Sequence, residues 1–169
     1  MINRSLETNL NVITEFAIQE QQNNDRFIEY LKNLNSSELD TEVLELEKEI
    51  TPQIDCKTCG NCCKSLMINV DEDEAKKASI FLNKTRDEFD DLYISKSESG
   101  KMVINAIPCH FLDENKCTIY ENRFSSCKEF PSLHLPSVQR RLFTIFMHYQ
   151  RCPIIFNVME ELKKSVRFI

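Results

Sequence analysis

The sequence predicts an α+β fold, mainly helical, with a small irregular antiparallel β element. Two observations carry this. Apolar residues recur at three- and four-residue intervals toward both ends of the chain, which is helical spacing. The segments between residues 66 and 120 that have a strand's alternation or composition are short, and turn residues and cysteines separate them.

From Ser5 to about Leu34 the apolar positions are Leu10, Ile13, Phe16 or Ala17, then Phe27, Tyr30 and Leu31, with the polar stretch QEQQNND between. This predicts one long helix or two shorter ones, broken at Asn35-Ser36-Ser37. Ser37 and Asp40 have capping-box spacing and open a further helix through Val43, Leu44, Leu46 and Ile50, which Pro52 stops. The cysteine run that follows is expected as an irregular loop. Leu66, Ile68 and Val70 alternate as a short strand, and Asp71 with Glu74 and Thr85 with Glu88 each mark a helix start between Glu72 and Ile94. SKSESG (95–100) is a turn, KMVINAI a strand, and CHFLDENKCTIY two short strands joined at Asp113-Glu114-Asn115. A helical turn from Phe124 to Phe130 ends at Pro131. RLFTIFMHY, aromatic and β-branched, predicts another strand, and Pro153 opens an amphipathic helix through Ile154, Val158, Leu162 and Val166. The expected organisation is an N-terminal helical extension, residues 1–51, followed by a cysteine-bearing domain, residues 52–169.

A chain of 169 residues can bury a sizeable core without crosslinks. The 21 basic against 27 acidic residues give a net charge of -6, spread along the chain, which disfavours nucleic acid as a partner. No run approaches the roughly 18 apolar residues of a membrane span. The first sixteen residues lack the apolar core of a signal peptide, so the expected compartment is the cytoplasm, where thiols stay reduced.

That expectation bears on the eight cysteines. Four of them, Cys56, Cys59, Cys62 and Cys63, fall within CKTCGNCC, and Cys109, Cys117, Cys127 and Cys152 follow. A C-x2-C loop brings two thiolates to one ion with little ordering of the chain, and three cysteines at x2 spacing also hold three corners of a cubane iron-sulfur cluster. The even count permits disulfides without arguing for them. On an extended backbone Cys62 and Cys63 face opposite ways, so one ion is expected to use only one of them. Gly60 and Asn61 suit the turn that such a loop needs. A fold organised around a cysteine-bound metal centre is therefore expected.

The pieces CKTCGNCC at 56–63, CHFLDENKCTIYENRFSSCKEFP at 109–131 and CP at 152–153 resemble the YkgJ-type cysteine-cluster proteins, the zinc- or iron-chelating CxxCxxCC family. The resemblance implies metal binding by Cys56, Cys59, Cys62, Cys63, Cys109, Cys117, Cys127 and Cys152, with zinc or iron as cofactor, and the x2 spacing also admits a 4Fe-4S cluster. The chain departs from the family's usual pattern at His110 and Phe124, where proline is usual, and at Lys128, where arginine is usual. A similar cluster occurs in flagellin lysine methylases, which makes an iron-sulfur redox protein or a protein-modification enzyme component one alternative. No methyl-donor site and no catalytic site is recognisable in the chain. A zinc-stabilised interaction module, with a protein partner held by the N-terminal helices, is another.

Among the other residues, His110 beside Cys109 could complete a Cys3His site, and His148 lies four residues before Cys152. Exposure or core packing is the simpler reading of each histidine. DEDE at 71–74 reads as a helix start, where negative charge is favourable. Tyr120 and Arg123, between Cys117 and Cys127, are placed to wall the cluster, with Arg123 balancing thiolate charge.

Overall fold

The computed structural model describes residues 6–169; Ser5, the expected start of the first helix, lies outside them. In chain order the elements are α1 (Leu10–Gln19), α2 (Gln21–Lys32), α3 (Ser36–Ile50), α4 (Cys56–Cys59), α5 (Asn61–Ser65), β1 (Asn69–Val70), α6 (Glu72–Phe81) and α7 (Arg86–Tyr93). They continue as β2 (Ile94–Lys96), β3 (Met102–Ile104), β4 (Leu112–Asp113), β5 (Lys116–Cys117), α8 (Ser125–Glu129), α9 (Val138–Met147) and α10 (Pro153–Ser165). The fold is mainly helical α+β, as the sequence predicts. It divides into two compact units, one of Met1–Asp55 with Pro131–Ile169 and the other of Cys56–Phe130.

In the first unit, Asn9 caps α1 and the polar stretch breaks the N-terminal region into two helices at Glu20. The expected Ser37–Asp40 capping box does not form. Asn35 caps α3 instead, its Oδ1 accepting from Ser37 N at 3.0 Å and Glu38 N at 3.2 Å. Asp40 is thereby released for a distant helix start, where it accepts from Ser137 N at 2.7 Å and Val138 N at 2.8 Å. Ser137 sits at φ 62°, outside the extended conformation in which a side chain caps its own helix, and Asp40 supplies the missing acceptor.

RLFTIFMHY, expected as a strand, lies almost wholly in α9. Val138, Leu142 and Ile145 are buried at helical intervals while Phe143 is 80% exposed, so the period of burial overrides the β preference of the individual residues. α10 begins at Pro153 as expected and buries Ile154, Val158 and Leu162. It packs on α3, whose Leu39, Val43 and Ile50 are buried. Asn157 ties the N-terminal segment to this helix, with Nδ2 donating to Glu7 O at 2.7 Å and Oδ1 accepting from Glu7 N at 3.0 Å.

In the second unit both expected capping boxes form, Asp71 with Glu74 on α6 and Thr85 with Glu88 on α7. A three-stranded antiparallel sheet has the order β1-β3-β2, with Asn69 opposite Val103 and Ile94 opposite Ile104. The turn after β2 is shorter than SKSESG, since Ser95 and Lys96 remain in the strand, and it closes with Gly100 N donating to Ser97 O at 2.9 Å. β4 and β5 form the expected hairpin, with Glu114 at φ 53° in the turn. The apolar core gathers Val70, Phe89, Ile104, Phe111, Ile119 and Phe124, and Cys109, Cys117 and Cys127 pack against it. α8 is footed on other elements: Ser126 Oγ donates to Asn69 O at 2.9 Å, and Ser125 N donates to the Glu74 carboxylate.

Candidate metal centre

CKTCGNCC is two helical turns and not the irregular loop expected. Cys56 and Cys59 bracket α4, with Gly60 N closing onto Cys56 O at 3.2 Å, so both cysteines lie on one face of the turn. Gly60 then reverses the chain at φ 60°. A Cβ there would stand 2.7 Å from the carbonyl oxygen of Asn115, so only glycine lets this backbone lie against the β4–β5 turn. Lys64 adds a second tie, donating to Asn115 Oδ1 at 2.5 Å. The sequence marks Gly60 as a turn residue but gives no sign of its partner.

The helical backbone of α5 also changes the expectation for the adjacent pair. Neighbouring side chains on a helix diverge by about 100°, not by the half-turn of a strand. The sulfurs of Cys62 and Cys63 accordingly lie 4.0 Å apart. Two thiolates on one tetrahedral zinc ion lie about 3.8 Å apart, given a Zn–S length of about 2.3 Å. The adjacent pair can share one ion.

Three further thiols of this unit lie near Cys63. Cys109 N donates to Cys63 O at 2.8 Å, while Cys117 comes from β5 and Cys127 from α8. The Cys62 thiol, donating to the Cys63 sulfur, is the main cause that lowers the Cys63 pKa to about 7 against partial burial; its own backbone amide, Arg123 and Lys64 help. Burial raises Cys109 and Cys117, with the Cys63 charge adding to it. Cys127 is pushed up to about 12, first by burial and then by Cys63, Cys109 and Cys117. The Cys63 charge thus acts on Cys109, Cys117 and Cys127. Cys56 is exposed, and Cys152, in the first unit, is buried as the N-cap residue of α10.

This ordering sets the reactivity of the metal-free protein. Of Cys63, Cys109, Cys117 and Cys127, Cys63 will be alkylated first near neutral pH, its rate rising about tenfold from pH 6 to pH 8 as its thiolate fraction grows, while Cys127 reacts last of the four. Timed iodoacetamide labelling with peptide mass spectrometry gives the order directly; Cys127 reacting before Cys63 would contradict it.

His110 turns away from a ligand role, with Nε2 2.6 Å from Asn105 Oδ1 and its ring edge-on to Tyr93. His148 is the C-cap residue of α9 and not part of a strand; its carbonyl accepts from Cys152 N at 3.0 Å. Tyr120 lies under two cations, with the Arg123 guanidinium carbon 3.8 Å and Lys57 Nζ 4.5 Å from its ring centroid. Among the described residues no disulfide joins the cysteines, and no three Cys, His, Asp or Glu side chains already converge as a closed metal-binding group. The donors nevertheless fit a thiolate-bound ion. They are sulfurs at the edge of one apolar core, one pair has nearly the spacing that an ion requires, and Arg123 carries positive charge and a buried Nε without a hydrogen-bond partner beside them.

A family model described as a "putative zinc- or iron-chelating domain", CxxCxxCC, matches residues 55–153, more than half of the chain. The chain belongs to the CxxCxxCC family. The match encloses all eight cysteines, together with the Gly60 reversal and the Tyr120–Arg123 stack. No curated protein and no solved structure matches the chain. Among its described residues no helix is long and apolar enough to cross a membrane.

Proposed function

We propose that this CxxCxxCC protein is a non-catalytic, cytoplasmic metalloprotein that holds zinc or iron through thiolates. Cys63, Cys109, Cys117 and Cys127 form the inner ligand set, and Cys62 is close enough to Cys63 to share its ion. Cys56 and Cys59 on the neighbouring turn are the remaining ligands of one cluster or of a second site. The observation that carries this reading is that Cys109, Cys117 and Cys127, from the segment before β4, β5 and α8, pack against one apolar core, with Cys109 N donating to Cys63 O at 2.8 Å and the Cys63 charge acting on all three. A divalent cation would supply the charge that lets the three partly buried thiols deprotonate, drawing the group closed by side-chain rotation. The net charge of -6 favours metal over nucleic acid as the ligand.

Metal analysis and a visible spectrum of anaerobically purified protein test it. A colourless protein with stoichiometric zinc identifies a zinc site, and a brown one with iron and sulfide identifies a cluster. Absence of both metals with oxidised cysteines would sink the metal reading altogether.

A further inference from the structure

We propose that Arg123 is the positioning residue of the thiolate centre, its Nε–H held ready to donate to a metal-bound sulfur while its charge offsets that of the thiolates. The inference rests on the metal-binding reading above and adds to it a residue outside the ligand set. Arg123 lies between Cys117 and Cys127, just after the turn Tyr120–Asn122. Its backbone N donates to Tyr120 O at 3.4 Å, and its guanidinium stacks on the Tyr120 ring at 3.8 Å. The side chain is therefore held in place before any ligand arrives.

What it is held for is visible in what it lacks. Nε is buried and has no hydrogen-bond partner, and among the described residues no carboxylate pairs with the guanidinium. Arg86 shows the contrast, since it is engaged by both Glu72 and Asp90. A buried donor left without an acceptor is costly, so an orphan on a side chain held by its stack on Tyr120 points to an acceptor that arrives later. The groups within reach of its charge are Cys63, Cys117 and Cys127. A divalent ion bound by four thiolates carries two excess negative charges, and a fixed guanidinium beside the sulfurs lowers that cost. Hydrogen bonds to ligand atoms from outside the ligand set orient the ligands and tune the metal.

The test uses the full chain with Zn2+ in chelator competition and with Co2+ as a spectroscopic probe. Arg123→Gln should weaken Zn2+ binding about 10- to 100-fold and shift the sulfur-to-cobalt charge-transfer band. Arg123→Lys, which keeps the charge and loses the planar donor, should recover part of the affinity without restoring the band. Melting of the metal-free variants checks that they fold, and an Arg123→Lys that melts like wild type carries the test alone if Arg123→Gln does not fold. Wild-type affinity within twofold and an unmoved band in the folded Arg123 variants would overturn the inference while leaving metal binding intact. A wild-type chain that binds neither metal would overturn both.

Discussion

Gly60→Ala will cut zinc affinity about 10- to 100-fold while leaving most helical structure in place. Two effects act together at this position. An alanine at φ 60° pays about 1–2 kcal/mol for the left-handed backbone. Its Cβ would also stand 2.7 Å from a backbone oxygen, that of Asn115, which cannot rotate aside as a side-chain tip can. The turn must therefore lift from the hairpin, and with it go Cys56 and Cys59 on one side and Cys62 and Cys63 on the other. Under the proposed ligand set, that displacement moves these thiols relative to Cys117, two residues beyond Asn115. Gly100→Ala is the matched control, because Gly100 has φ 80° but nothing within 4 Å of an added Cβ. Chelator competition and thermal melting of both variants separate strain from displacement. Equal zinc affinity in the two would show that the close approach at Asn115 does not position the thiols.

Cys63→Ser will have the larger effect on bound metal, a loss of about 3 kcal/mol, as expected for one ligand of a four-thiolate site. That is roughly a hundredfold in Kd. Cys63 is the thiol whose charge is felt at Cys109, Cys117 and Cys127, and its sulfur lies 4.0 Å from that of Cys62. Cys56→Ser, at the exposed start of α4, will lose less. Elemental analysis after dialysis of the two variants gives the order. If Cys56→Ser empties the protein and Cys63→Ser does not, the inner set has been assigned wrongly.

What the sequence predicts well are features whose partners lie within one turn. Asp71 with Glu74 and Thr85 with Glu88 close their own helix starts, Pro153 opens α10, and the turn at Glu114 joins two strands that are near neighbours. Each depends on a spacing of a few residues. The features that differ from expectation have partners far along the chain or depend on the local backbone. Asp40 looks like half of a local capping box and instead caps a helix 97 residues away. α9 carries residues that prefer strands, and it is helical because burial recurs at Val138, Leu142 and Ile145. The adjacent cysteines diverge less than expected for the same reason, since their divergence depends on whether the backbone between them is extended or helical. The cysteine positions themselves need no fold to be found, but which of them face one another does.

α8 has five residues, too few to hold a helix by its own hydrogen bonds. Its first amide rests on Glu74, the same carboxylate that closes the capping box of α6, and its Ser126 hydroxyl rests on β1. One acidic side chain thus serves as a shared hinge pin for two helices. The position of Cys127 is inherited from a residue 51 places upstream of its own helix start, and any pull that an ion exerts on that sulfur is borne at the front of α6.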